Sequence, residues 1–338
     1  MAPAKHPRRA QFAAFLKWLY WRYLRVGFSL LPPRVINMFT QAMAHVEVAI
    51  AGNRKHIMLE ELRLSSLTKD GDTDALILRR SFQNQLNSWI KQCYLRKMNE
   101  KTIGEYIPAE GLSHLDGALG RGNGAILLNP HSGPYMMIMP ALGYRGYKVN
   151  QLAIQAESPR VARAGFTMLA NRARYEAVEK TMPIRFINAG AETFDNFGLR
   201  NMAIRDVLTA LRQNEIVLYP PTGRGGRQWQ TAPFLGRMAN FNLVPYKIAL
   251  KAGIPLIPVF LIDLTATEGS VHVARAVIEP PIEVSTGDTP EGLLMKYLKV
   301  LTAYVEKYPE HFAFFQFDMK IKSEWDDHPF FTRSSPEK

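Results

Sequence analysis

The chain has 338 residues, 47% hydrophobic and 21% charged, with a formal net charge of +12. That composition builds a core and excludes a disordered chain, and one cysteine, Cys93, excludes an internal disulfide framework and any cysteine-based zinc or iron–sulfur site. The length predicts one large domain or a domain with an appendage, and the positive balance points to an anionic partner: nucleic acid, an anionic membrane or an acidic carrier.

The first 34 residues carry much of that charge. Lys5, Arg8, Arg9, Lys17, Arg22, Arg25 and Arg34 all precede the first acid, Glu47. At about 100° per residue, Phe12, Phe15, Leu16, Leu19, Tyr23, Val26 and Leu30 form one apolar helical face. The opposite side mixes Lys17, Arg22 and Arg25 with Trp18, Trp21 and Phe28. Aromatic and basic groups together suit a helix lying at the headgroup level of an anionic bilayer, with Trp18, Trp21, Arg22 and Arg25 as contacts. Lys17, Arg22 and Arg25 interrupt the segment too often for a transmembrane span, and neither the apolar run nor the cleavage site of a signal peptide is evident. An ordinary core helix with a basic outer face is the alternative.

Residues 35–64 and 74–98 read as two long helices, with Gly71 in the polar stretch between them as a breaker. From about residue 101 the pattern alternates. Apolar runs at 125–129, 149–155, 184–188, 216–219, 256–262 and 271–278 read as buried strands, and 112–119, 135–142, 160–174, 199–212 and 241–252 as helices. This predicts an α/β fold: a mixed, largely parallel sheet flanked by helices on both faces, with an N-terminal helical lead-in and a membrane-surface helix. A closing helix covers 290–308. The divisions are 1–34, 35–100, 101–322 and a polar tail, 323–338.

The eight histidines show no pair at metal-ligand spacing, so no metal is expected. Gly120, Gly122 and Gly124 precede a strand rather than follow one, which is wrong for a dinucleotide fingerprint. No P-loop ending and no nucleophile elbow is present. Two segments remain. Ala125-Ile-Leu-Leu-Asn-Pro-His-Ser-Gly-Pro-Tyr135 places His131 just past a buried strand and at a helix entry, where an imidazole can act as a general base and helix-start amides can face developing negative charge. A packing or capping histidine is the competing reading. Tyr219-Pro-Pro-Thr-Gly-Arg-Gly-Gly-Arg-Gln228 also follows a strand. Its glycines permit close backbone approach, and Arg224 and Arg227 can grip phosphate or carboxylate in bidentate fashion. An ordinary solvated basic loop is the competing reading there.

These segments occur in order with Glu110-Gly-Leu-Ser-His-Leu-Asp116, Pro233-Phe-Leu-Gly236, Gly253-Ile-Pro-Leu-Ile-Pro-Val259 and Tyr308-Pro-Glu-His-Phe312. Across nearly its whole length the chain resembles the bacterial lipid A biosynthesis acyltransferases, lauroyl and myristoyl type, of the lysophospholipid acyltransferase superfamily. The resemblance implies transfer of an acyl chain from acyl carrier protein, or from acyl-coenzyme A, to a hydroxyl of a membrane glycolipid or lysolipid. It implies His131 as general base, with Ser132, Gly133, Arg224, Gly225, Gly226 and Arg227 binding substrate. No cofactor is implied beyond the donor. The place of action it implies is the cytoplasmic face of the inner membrane, with the protein peripheral or monotopic. Nucleic acid is not an expected partner, since no recognised nucleic-acid module appears.

The chain departs from the family pattern, in which four residues separate the histidine from an acid. Here that position is Met136, and Pro220, Pro221 and Thr222 stand where the third block usually carries an acid. Losing the orienting carboxylate of a serine-protease triad costs about 10⁴-fold in rate. Glu157, Glu192 and Asp195 are distant candidates to replace it. The alternative is a slow or inert homologue that binds lipid or acyl carrier.

Overall fold

The computed structural model describes residues 7–68, 70–153, 166–188, 197–222, 229–264, 272–312 and 330–332. Its centre is a seven-stranded sheet built from short, uninterrupted apolar runs, the pattern of strands covered on both faces. The strands are β1 (Ala109–Glu110), β2 (Ala125–Leu128), β3 (Val149–Ala153), β4 (Arg185–Asn188), β5 (Ile216–Tyr219), β8 (Leu256–Ile262) and β9 (Arg275–Ile278). They lie in the order β1-β9-β8-β2-β5-β3-β4. The run from β8 to β4 is parallel, β9 is antiparallel to β8, and β1 is parallel to β9. A separate antiparallel hairpin joins β6 (Trp229–Phe234) and β7 (Arg237–Asn242).

Alternation along the pleat sends successive side chains to two cores. Ile126, Leu128, Val217, Tyr219 and Phe260 face one of them, with Phe234 and Phe241 of the hairpin and side chains of α5 (Gly71–Ile90), α10 (Phe197–Arg212), α11 (Val244–Ala252) and α12 (Pro290–Lys307). Leu127, Leu218, Val259 and Leu261 face the other, with Trp21, the 3-10 segment Lys91–Lys97, α7 (Leu112–Leu119) and α8 (Ile138–Gly143). The expected α/β class and mostly parallel sheet are therefore present.

The helical front differs in detail. Residues 35–64 are two helices, α3 (Pro33–Ile50) and α4 (Asn53–Arg63), separated at Gly52, whose φ of +53° no α-helix accommodates. Gly71 starts α5 rather than merely breaking the chain, because the Asp70 carboxylate accepts from the Thr73 amide at 2.7 Å and caps the helix. The β6–β7 hairpin occupies residues expected to lead into a helix. Its turn is Leu235-Gly236, with φ of +51° and +74°, the two-residue geometry that favours antiparallel pairing.

The first segment folds as α1 (Pro7–Leu19), a π-helical turn Tyr20–Leu24 and α2 (Arg25–Leu30). Its expected apolar face is the exposed one: Phe12, Leu16, Tyr23, Val26 and Leu30 all face solvent, Leu30 at 72%. The opposite side packs inward. Trp18 is half-buried among Phe15, Tyr23 and Phe166, the last from α9 (Phe166–Ala177). Trp21 corrects its assignment as a membrane contact. It is 2% exposed and lies against Tyr20 and Trp89, at ring separations of 4.9 and 6.3 Å. Arg22 stays exposed, whereas Arg25 is half-buried and donates from Nε to the Trp21 carbonyl at 3.0 Å. Trp21→Ala should therefore lower the melting temperature, by roughly 5–10 °C, as a core truncation does. Thermal denaturation checks this, and an unchanged midpoint would return Trp21 to the surface.

Candidate active site

Parallel pairing of β2 with β5 brings two distant loops together. Leu128 and Tyr219 end these strands in register, and the Asn129 amide extends the ladder by donating to the Tyr219 carbonyl at 3.1 Å. Three residues beyond each strand end come His131 and Thr222, which meet. The His131 amide donates to Thr222 Oγ1 at 3.1 Å, and the ring Nδ1 lies 3.3 Å from the same oxygen. Proline at 130, 220 and 221 restricts the backbone that delivers both residues. The site thus sits past the carboxyl ends of central strands, the usual place in open α/β sheets.

His131 is half-buried, with Tyr135 packed edge-on at a ring separation of 4.9 Å. Burial pushes its pKa down to about 4, because desolvation penalises the imidazolium. The imidazole is neutral at pH 7 and able to accept a proton.

The His131–Gly133 loop is fixed from several directions. Gly133 has a φ of +56°, and a Cβ there would come within 2.6 Å of the Leu261 carbonyl oxygen. Its amide donates to the His311 carbonyl at 3.2 Å, and its own carbonyl accepts from Ser88 Oγ at 3.2 Å. The Ser132 amide donates to the Pro130 carbonyl at 2.8 Å. The amides of 131, 132 and 133 therefore all serve internal acceptors, so the expected helix-start oxyanion donors are not these three. Moreover, the segment after the loop opens as a single 3-10 turn, Tyr135–Met137, before the short α8. The Ser132 hydroxyl is buried without a hydrogen-bond partner among the described residues.

Met136 does not orient the imidazole. Its Sδ lies 2.8 Å from Nη2 of Arg174, whose Nη1 pairs with Glu179 at 2.8 Å. Arg174 also lies over the Trp89 ring. An acid introduced at 136 would meet this guanidinium.

Two clusters supporting the loop were not visible from the sequence. His311 is buried and stacks on Tyr308 with ring planes 11° apart, and the Tyr304 hydroxyl donates to the Leu261 carbonyl at 3.3 Å. Burial lowers the His311 pKa. The motif 308–312 thus braces the His131 loop from behind. Beneath it, Lys91 and Asp263 form an ion pair at 2.6 Å with both side chains fully buried. Lys91 Nζ also donates to the Val273 carbonyl, Asn87 Nδ2 donates to the second Asp263 oxygen at 2.8 Å, and Thr40 Oγ1 donates to Asn87 Oδ1 at 2.7 Å.

Arg224, Gly225, Gly226 and Arg227 lie outside the described residues, as do Glu157, Glu192 and Asp195. No group of side chains suited to holding a metal occurs among the described residues.

A family model described as bacterial lipid A biosynthesis acyltransferase matches residues 3–320 of the chain. No curated protein matches it.

Proposed function

The chain belongs to the bacterial lipid A biosynthesis acyltransferase family, and from that premise we propose that it moves an acyl chain from a thioester, on acyl carrier protein or coenzyme A, to a hydroxyl of a membrane glycolipid or lysolipid, with His131 as the general base. The family itself implies acyl transfer in lipid A biosynthesis. The observation that carries the role of His131 is its place beyond the central strands, with the ring against Thr222 and Tyr135 and its loop tied to Ser88 and His311 through Gly133.

In this reading His131 takes the proton as the acceptor hydroxyl oxygen attacks the thioester carbonyl. A C–O bond forms, the tetrahedral intermediate collapses, and the C–S bond breaks. The imidazolium returns its proton to the departing thiolate, leaving an ester and a free thiol. No acyl-enzyme is required. Arg224 and Arg227 would bind phosphate of the acceptor or donor through their planar forks. The Ser132 hydroxyl is buried with no hydrogen-bond partner among the described residues, and Gly133 sets the loop's turn.

The test is incubation of purified protein with an acyl-loaded carrier protein, or with acyl-coenzyme A, and vesicles containing lipid A-type glycolipid. Mass spectrometry should show the glycolipid gaining one acyl chain as thiol is released. Thioester hydrolysis without acylated lipid would contradict the proposal and favour the lipid- or carrier-binding alternative.

Contact with an anionic bilayer forms part of the same proposal. No described helix is long and apolar enough to cross a membrane. Instead, α1 and α2 expose Phe12, Leu16, Val26 and Leu30, α3 exposes Met38 and Phe39, and α9 exposes Met168 and Leu169. Exposed apolar side chains next to Arg22 suit shallow insertion among anionic headgroups. Replacing Leu16, Val26 and Leu30 together with Gln should weaken binding to anionic vesicles at least about tenfold with the fold unchanged. Flotation at equal melting temperature checks this, and full retention on vesicles would remove this surface from the account.

A further inference from the structure

We propose that a cleft separate from the His131 site binds one phospholipid with a zwitterionic headgroup, its phosphate on Lys97, its ammonium on the Glu105 carboxylate and its chains against Leu30 and Leu31. The inference rests on the reading of α1 and α2 as a membrane-contact surface and adds the class of lipid held there.

The cleft has a volume of about 460 Å³, within the range of small-ligand sites. Four parts of the chain line it. They are residues 30–33 where α2 meets α3, Tyr94 and Lys97 of the 3-10 segment, Glu105 and Tyr106 of α6 (Ile103–Tyr106), and His272 ahead of β9. None of His131, Ser132, Gly133 and Thr222 is among them.

Hydrogen bonds tie these walls to one another. Tyr94 Oη donates to the Leu31 carbonyl at 2.6 Å. His272 Nδ1 donates to the Glu105 carbonyl, an oxygen that can only accept, at 2.6 Å. The Val273 amide donates to the Tyr106 carbonyl at 2.8 Å, and the Tyr94 and Tyr106 rings lie 5.9 Å apart. The shape thus exists before a ligand arrives, so little ordering opposes binding.

The lining combines two kinds of group. Leu30 belongs to the exposed apolar surface of α1 and α2, and Leu31 beside it is also exposed, so the cleft opens where a bilayer would be met. Lys97 and Glu105 are exposed charges of opposite sign, and neither has an ion-pair partner among the described residues. An anionic headgroup would meet Lys97 but face the Glu105 carboxylate, and a cationic one would have the reverse conflict. A headgroup carrying both charges satisfies both residues through charge-assisted hydrogen bonds, while its chains cover the leucines.

The test is calorimetric titration of the purified full chain with dihexanoyl phosphatidylethanolamine, below its micelle concentration, and with the phosphatidylglycerol of the same chain length. The ethanolamine lipid should bind at one saturable site. Lys97→Gln and Glu105→Gln should each raise its Kd at least about tenfold, with the melting temperature unchanged. The glycerol lipid should bind wild type more weakly, and Glu105→Gln should tighten it by removing the facing carboxylate. Absence of saturable binding, or ethanolamine-lipid binding indifferent to both substitutions, would overturn the proposal. Tighter binding of the glycerol lipid by wild type would also overturn it, in favour of an anionic-lipid site. Because the titration is made in solution, vesicle retention by the Leu16, Val26 and Leu30 variant would defeat the membrane-contact reading without deciding the cleft.

Discussion

His131→Ala is expected to lower kcat for acyl transfer by about 10²- to 10⁴-fold, the usual contribution of a positioned general base, at nearly unchanged melting temperature. The two effects separate because the ring is half-buried and sits at the edge of the packed interior rather than within either core. The His131 amide keeps its Thr222 acceptor after truncation, and the loop keeps the Gly133–His311 and Ser88–Gly133 hydrogen bonds. The losses include the proton acceptor, the edge contact with Tyr135 and the ring contact with the Thr222 hydroxyl. Steady-state rates, thermal denaturation and vesicle flotation on the same preparation check the expectation. A rate within a few-fold of wild type would make His131 a packing residue.

Asp263→Ala has the largest expected effect on stability, a loss of about 3–5 kcal/mol. The substitution leaves the fully buried Lys91 ammonium without its carboxylate, and Asn87 loses the acceptor for its amide. The position lies where β8 ends, next to the strand that leads to His131, and Ser88 of the same helical turn reaches the Gly133 carbonyl. Lost stability should therefore bring a loosened loop and a fall in kcat. The double variant Lys91→Met with Asp263→Leu should recover much of the stability, because two well-packed apolar side chains leave no uncompensated buried charge. Denaturant unfolding of the single and double variants measures both effects. A single variant as stable as wild type would show that the pair contributes little.

The sequence carried the sheet more faithfully than the contacts around it. Residues 216–219 and 256–262 are uninterrupted apolar runs, and both are strands with those bounds. A period of 3.6 likewise located the N-terminal helix but not the side that would face solvent. Both sides are apolar or aromatic, and only the packing of Trp21 on Trp89 and Trp18 on Phe166 decides which turns inward. Gly52 carried a local signal, and the split at that residue was legible in principle. The pairing of Lys91 with Asp263, 172 positions apart, had none. At the site, the strand–Pro–His pattern located His131. Thr222 stood in plain view but looked like a missing acid, because only the β2–β5 register shows that its hydroxyl faces the ring.

The central claim is a half-buried imidazole, neutral at pH 7, that works as a base past the ends of the central strands, and the pH dependence of kcat/KM for wild-type transfer tests this most directly. Transfer requires the unprotonated ring, so the rate falls as pH drops through the pKa of His131. Burial lowers that pKa to about 4, and a threonine hydroxyl adds no negative charge to raise it. The account predicts a flat profile from pH 8 to about 5, with the acid limb half-complete near 4, over the range in which the protein stays folded. A limb centred at the ordinary histidine value or above, while folding is intact, would contradict it and would place a charged partner beside His131.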